Sequence, residues 1–339
     1  MLSRVPDFGA FVISIDFELL WGMRDIITKD SPYAERMRNE KIVIPRMLEL
    51  FEEYEISATW ATVGMLFARS RSEFLQYAPT IKPQYLNNAL NPYQEEMGEG
   101  EGDDPLHYAP LLIKQIRNTP RQEIATHTYS HYYCLEKGQN SQAFEADLIS
   151  AIQIAQKQGI QLKSIVFPRN QHNPEYDELL IKHGVQCFRG NEQHRIYRPR
   201  SGSEQAYRDK AYRLADSYLN LTGNHLIRWE DVVEPSGLCN IPASRFFRPY
   251  MKQGAIFEKL KVARMTRSIK EAARSSRIYH LWWHPHNFGG EIEDNLAQLR
   301  DVLACVSHCK KEYGMQSLSM REAADLAEQY KYNNSLTYG

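Results

Sequence analysis

Two histidines sit four residues apart in Ile124-Ala125-Thr126-His127-Thr128-Tyr129-Ser130-His131, just after an apolar run that reads as a strand. If the chain turns helical from Thr128, positions i and i+4 share one face and both imidazoles can reach one metal ion. Asp16-Phe17-Glu18 places two carboxylates at i and i+2, on one face of a strand that persists through them, with Phe17 turned into packing. Carboxylates that close repel, and a metal or an arginine relieves the cost. Along the strand that runs into His284-Pro285-His286, His280, Trp282 and His284 alternate onto one face and Leu281 and Trp283 onto the other.

Glu18, His127 and His131 then make a two-histidine, one-carboxylate set. Three protein ligands with a position left open describe a catalytic metal site rather than a closed structural one. Zinc is the first expectation, and cobalt, nickel, manganese or iron suit the same ligands. Such an ion lowers the pKa of a water and polarises a carbonyl. Asp16 is then placed as general base. His284, beside tryptophans at a strand end, suits a general acid in a partly apolar pocket.

Short apolar runs alternate with amphipathic segments, which predicts α/β architecture. Strands are expected over Ala10–Asp16, Ser57–Val63, Glu123–His127, Ser164–Phe167, Val185–Arg189, Arg277–His284 and Gln316–Ser319. Helices are expected over Ile44–Tyr54, Ser141–Gln158, Pro174–His183, Glu204–Leu219, Gly254–Ser275, Ile292–Tyr313 and Met320–Tyr330. Pro45 suits a first helical turn, and Ser319 with Glu322 reads as a capping box. The three chemical clusters all fall at the C-terminal ends of predicted strands, where barrels of parallel strands collect their chemistry. Asn91 to Asp104 is acidic, Gly-rich and aperiodic, so it reads as a flexible loop: a solvated insertion, or a lid between two strands that border the site.

Net charge is −1, so no global field draws nucleic acid or an anionic surface. No apolar run approaches membrane-spanning length, and the N-terminus lacks the features of a signal peptide. Five scattered cysteines fit a reducing cytoplasm better than a disulfide framework. Cys305 and Cys309, at i and i+4, read as helix packing rather than a second metal site.

Asp16-Phe17-Glu18, the HTYSH run over 127–131 and Leu281-Trp282-Trp283-His284 resemble, in order, motifs one, two and five of the polysaccharide deacetylases (the NodB-homology, carbohydrate esterase family 4 group). The resemblance implies a distorted (β/α)7-type barrel over residues 1–339, here with an acidic loop insertion at about 80–107 and a basic segment at about 244–275. It implies metal-dependent hydrolysis of an N-acyl amide or O-acetyl ester on a sugar. Carried over, Asp16 is the base, His127 and His131 are ligands, and His284 is the acid that protonates the leaving amine. The family's first motif usually has two adjacent aspartates, whereas here Glu18 takes the ligand place with a longer reach. The third motif is echoed by Val166-Phe167-Pro168-Arg169-Asn170-Gln171, with Arg169 as the residue that orients Asp16. The fourth has no clear match, and Arg189 is a candidate for neighbouring work.

Arg245 and Arg248, ahead of Lys252, Lys259, Lys261, Arg264 and Arg267, are expected to contact the phosphate of a nucleotide- or polyprenyl-linked sugar. Trp282 and His286 complete the expected substrate contacts, with the Trp282 ring face suited to sugar stacking. The expected function is removal of an acetyl group from a cytoplasmic glycan precursor in surface polysaccharide biosynthesis. Two alternatives stand beside it: a deformylase or other non-peptide C–N hydrolase on the same barrel, and a catalytically silent sugar- or metal-binding barrel.

Overall fold

The computed structural model describes residues 5–197 and 207–336. Nine strands form one sheet in which every pairing is parallel: β1 (Ala10–Phe17), β2 (Ala58–Thr62), β3 (Gln122–Thr126), β4 (Ser164–Ile165), β5 (Cys187–Phe188), β6 (Cys239–Asn240), β7 (Arg245–Phe246), β8 (Ile278–Trp283) and β9 (Gln316–Leu318). The strand order is β6-β5-β4-β3-β2-β1-β8-β7, with β9 against the first residues of β1. The sheet therefore curls with β6 and β7 at its two open edges, a distorted (β/α) barrel.

Alternation along β1 decides what lies inside. Phe11, Ile13, Ile15 and Phe17 join the large core cluster beneath the helices, whereas Ala10 and Val12 join the cluster that also holds Val166, Cys187 and Ile278. Ser14 and Asp16 continue that second, inward face, so its polar end lies at the C-terminal end of the strand. β8 repeats the pattern: Tyr279, Leu281 and Trp283 pack outward, while His280 and Trp282 take the other face.

Among the described residues the helices are α1 (Ala34–Arg38), α2 (Glu40–Glu53), α3 (Arg71–Tyr77), α4 (Pro110–Asn118), α5 (Ser141–Lys157), α6 (Asp177–Lys182), α7 (Tyr207–Leu219), α8 (Ala255–Arg274), α9 (Pro285–Phe288), α10 (Ile292–Tyr313) and α11 (Met320–Leu336), and the longer of them cover the sheet. Asn140 caps α5 by accepting from the Ala143 N–H, and Ser319 and Glu322 form the expected reciprocal cap of α11. α2 starts four residues earlier than the pattern implies, so Pro45 lies inside the helix rather than in its first turn and costs it one backbone bond. Of the helix expected over 204–219, residues 204–206 lie outside the described residues, and α7 takes up the rest, Tyr207–Leu219.

The acidic segment is threaded by hydrogen bonds to its own carboxylates. The Asp103 carboxylate accepts from the Glu99 and Gly100 N–H groups, and Asp104 accepts from Gly98 and Leu106. His107 holds Asp104 at 2.7 Å, and its carbonyl accepts from the Trp21 indole.

Candidate active site

The histidine pair does converge, by a different route from a helix. The segment after β3 is irregular, and Thr128 and His131 adopt left-handed φ values of 63° and 55°. Asp147 on α5 holds this turn: its carboxylate accepts from the Tyr129 and Ser130 N–H groups and from the Ser130 hydroxyl. Burial pushes the Asp147 carboxyl up to about 6 against those hydrogen bonds.

His127 and His131 meet Glu18, which stands just beyond β1. Glu18 Oε2 lies 3.0 Å from His131 Nε2 and 3.4 Å from His127 Nε2. One ligand atom from each of the three residues lies within 4.8 Å of the others, and all three are buried. The donor set fits a divalent ion. His127 Nδ1 is 2.8 Å from the Val166 carbonyl, which leaves Nε2 with its lone pair toward Glu18. Burial drives His131 down to about 3 despite Glu18, so its imidazole is neutral at physiological pH. Burial raises the Glu18 carboxyl, but His284, His127 and His131 outweigh it and hold it well below the usual range.

The carboxylate has a prepared seat. A Cβ on Gly22 would fall 2.0 Å from Glu18 Cδ and Oε1. Gly22→Ala must therefore push the Glu18 carboxylate aside while leaving the barrel intact. We expect metal affinity to fall by about 10–100-fold, the range for disturbed ligand support, with little change in melting temperature. Metal titration beside thermal unfolding checks this.

Asp16 occupies the inward face two residues earlier, and Arg189 holds it. The guanidinium makes paired bonds of 2.7 and 2.8 Å to the two carboxylate oxygens, and further bonds to Ser14 Oγ and Asn170 Oδ1. Burial raises the Asp16 carboxyl, yet Arg189, aided by His127 and His284, brings it below its ordinary value. Ser14 Oγ also meets His280 Nε2 at 2.8 Å, while His280 Nδ1 meets the Ile241 carbonyl. His280 is thus a support for Ser14 and Arg189, kept neutral by burial that pushes it down to about 3.

His284 stands beside both Asp16 and Glu18. Its Nε2 lies 3.7 Å from Asp16 Oδ2 and 3.6 Å from Glu18 Oε1, and its Nδ1 lies 3.3 Å from Asn287 Oδ1. Trp282, half-buried, packs edge-on against His284 and lies under the Arg189 guanidinium at 4.2 Å. Trp21, Trp60, Trp229 and Trp283 are buried, so Trp282 alone among the tryptophans can offer a face to a ligand.

Three expectations change. Arg169 does not touch Asp16: it pairs with Asp25 and covers the Tyr133 ring at 4.3 Å, and Arg189 does the orienting. Arg245 is not free for phosphate, because its guanidinium is spent on buried Asp216 and the Gly223 carbonyl. Arg248 is half-buried, and its Nε donates to Ser217. His286 is only 3 % exposed and stacks behind the His284 ring at 4.8 Å, away from any position that could meet substrate. Glu40, absent from the sequence reading, lies 3.8 Å from His286 Nδ1 with neither carboxyl oxygen hydrogen-bonded. Burial, reinforced by Glu18, lifts its carboxyl well above the usual range.

The family model described as polysaccharide deacetylase matches residues 30–188, somewhat under half of the chain, and takes in His127 and His131. No curated protein matches. A polysaccharide-deacetylase-type protein from Mycobacterium smegmatis is similar in structure over 96% of this chain and 93% of its own, with TM-score 0.58 and 15% identity. One from Pseudomonas aeruginosa PAO1 is similar over 94% and 90%, with TM-score 0.54 and 10% identity. Puue allantoinase is similar over 94% and 88%, with TM-score 0.52 and 11% identity. At these identities the likeness is one of fold. The chain is thus similar to the polysaccharide deacetylases in sequence over residues 30–188 and shares its curled parallel barrel with these structures.

Proposed function

We propose that this chain is a metal-dependent deacetylase that removes an N-acetyl (or O-acetyl) group from the sugar of a nucleotide- or lipid-linked precursor, in the cytoplasm, during surface polysaccharide assembly. One observation carries the reading: Asp16 and His284 flank the Glu18–His127–His131 cluster, with His284 Nε2 within 3.7 Å of both carboxylates. Glu18, His127 and His131 would hold the ion, zinc first among the candidates. When bound, a divalent ion supplies Lewis-acid polarisation of the acyl carbonyl and a more acidic water. Asp16, kept ionised by Arg189, takes the proton of the attacking water. His284, anchored at Asn287, gives a proton to the departing nitrogen from its Nε2. Trp282 offers its ring to the sugar beside that nitrogen.

The fold shared with Puue allantoinase keeps a non-sugar C–N substrate in view. A panel of N-acetyl, N-formyl and ureido compounds separates the readings. We expect amine and acetate from an N-acetylated amino sugar. Turnover confined to formyl or ureido compounds would replace the deacetylase reading with one of its rivals.

A further inference from the structure

Among the described residues, six of the seventeen exposed large apolar side chains lie on α7 and α8: Tyr212, Leu214, Leu219, Ile256, Phe257 and Leu260. These two helices pack together, with the Tyr218 ring against Phe257. At the start of α8, Ile256 is 81% exposed, Phe257 55% and Leu260 45%. Helical spacing carries the same outward face on through Lys259, Ala263, Arg267, Lys270 and Arg274. Inward charges on α8 are already matched, Lys261 by Glu258 and Arg264 by Asp216. The exposed charged residues of α8 are four cations and one anion, Glu271. An apolar turn followed by a basic stripe is the pattern of a helix that seats on anionic lipid.

Its place in the fold gives the pattern a purpose. α8 follows β7, so its first turn lies at the C-terminal end of the barrel, the end that carries Asp16 and His284. Phe246 of β7 packs against both Trp282 and His284, and the Arg248 guanidinium lies 5.8 Å from the Phe246 ring. Among the described residues no helix is long and apolar enough to cross a membrane. We propose that the apolar first turn and basic outward face of α8 dock the protein onto an anionic bilayer, bringing the site mouth to a sugar carried on a membrane lipid. The docking stands on α8 alone. Its purpose rests on the deacetylase reading above.

Co-sedimentation of the full chain with vesicles tests it, using phosphatidylcholine alone and phosphatidylcholine mixed with phosphatidylglycerol. We expect binding to the mixed vesicles only, weakened by added salt. Ile256→Ser/Phe257→Ser/Leu260→Ser and, separately, Lys259→Glu/Arg267→Glu should each lower it by roughly tenfold or more. Both variants should keep wild-type amine release from a soluble N-acetylated sugar. Absence of vesicle binding, equal binding to both compositions, or binding untouched by the substitutions would overturn the proposal. So would a wild-type dimer in light scattering that the serine variant alone makes monomeric, since the face would then belong to a second copy. Vesicle binding is read without turnover, so failure of docking and failure of the deacetylase reading are separate results.

Discussion

Asp16→Asn should lower kcat by about 10²–10⁴-fold, the range for loss of a positioned general base, with metal content unchanged. Asparagine keeps the shape and one of the two oxygens that accept from Arg189 but cannot take a proton. Metal analysis beside single-turnover rates checks both halves. Retained turnover would remove Asp16 from the role of base. Loss of metal together with turnover would instead make Asp16 a ligand, which its engagement with Arg189 argues against, because both of its oxygens already accept from that guanidinium.

Arg189→Met should be the most damaging single change to the fold. It leaves the Asp16 carboxylate buried without its counter-ion, and breaking a buried pair from one side costs about 3–5 kcal/mol. The activity that survives should also move. Burial alone pushes Asp16 upward, and Arg189 is the largest influence that opposes it. In the variant the base stays protonated to a higher pH, so the acid limb of the kcat/KM profile shifts toward alkaline pH. The same depressed carboxyl makes its stabilising contribution above the ordinary carboxylate range, and that contribution is lost as the pH falls through the lowered value. Denaturant unfolding and a pH–rate profile together check the prediction. An unshifted acid limb would show that another group sets it.

Much of this was legible from local pattern. β1 alternates large apolar and small or polar residues from Ala10 to Phe17, so Asp16 had to face inward if the odd positions packed under helices. β8 obeyed the same rule, which put Trp282 beside His284. The strands β6 and β7 are two residues long and carry no alternation to read, and they were missed. The convergence of His127 and His131 was foreseen through a helical turn. The turn is instead built from left-handed residues held by Asp147, a contact across eighteen or so positions that spacing does not encode. Arg169 follows proline in a run that echoes a known motif, yet its left-handed backbone turns it to Asp25, and the guanidinium that reaches Asp16 comes from the end of β5. Arg245 and Arg264 look like an open basic patch in sequence because their partner, Asp216, comes from another helix. Gly22 and Glu40 gave no signal, since a seat for a carboxylate and a buried carboxyl behind a histidine exist only once the chain is folded.

If Glu18, His127 and His131 hold an ion on which deacetylation depends, amine release from an N-acetylated amino sugar should follow the metal. Measured before chelation, after chelation, and after re-addition of one divalent ion per chain, activity should disappear with the metal and return at one equivalent in the wild type, with no recovery in His131→Ala. Activity that survives complete removal of metal, with the protein folded throughout, would contradict it.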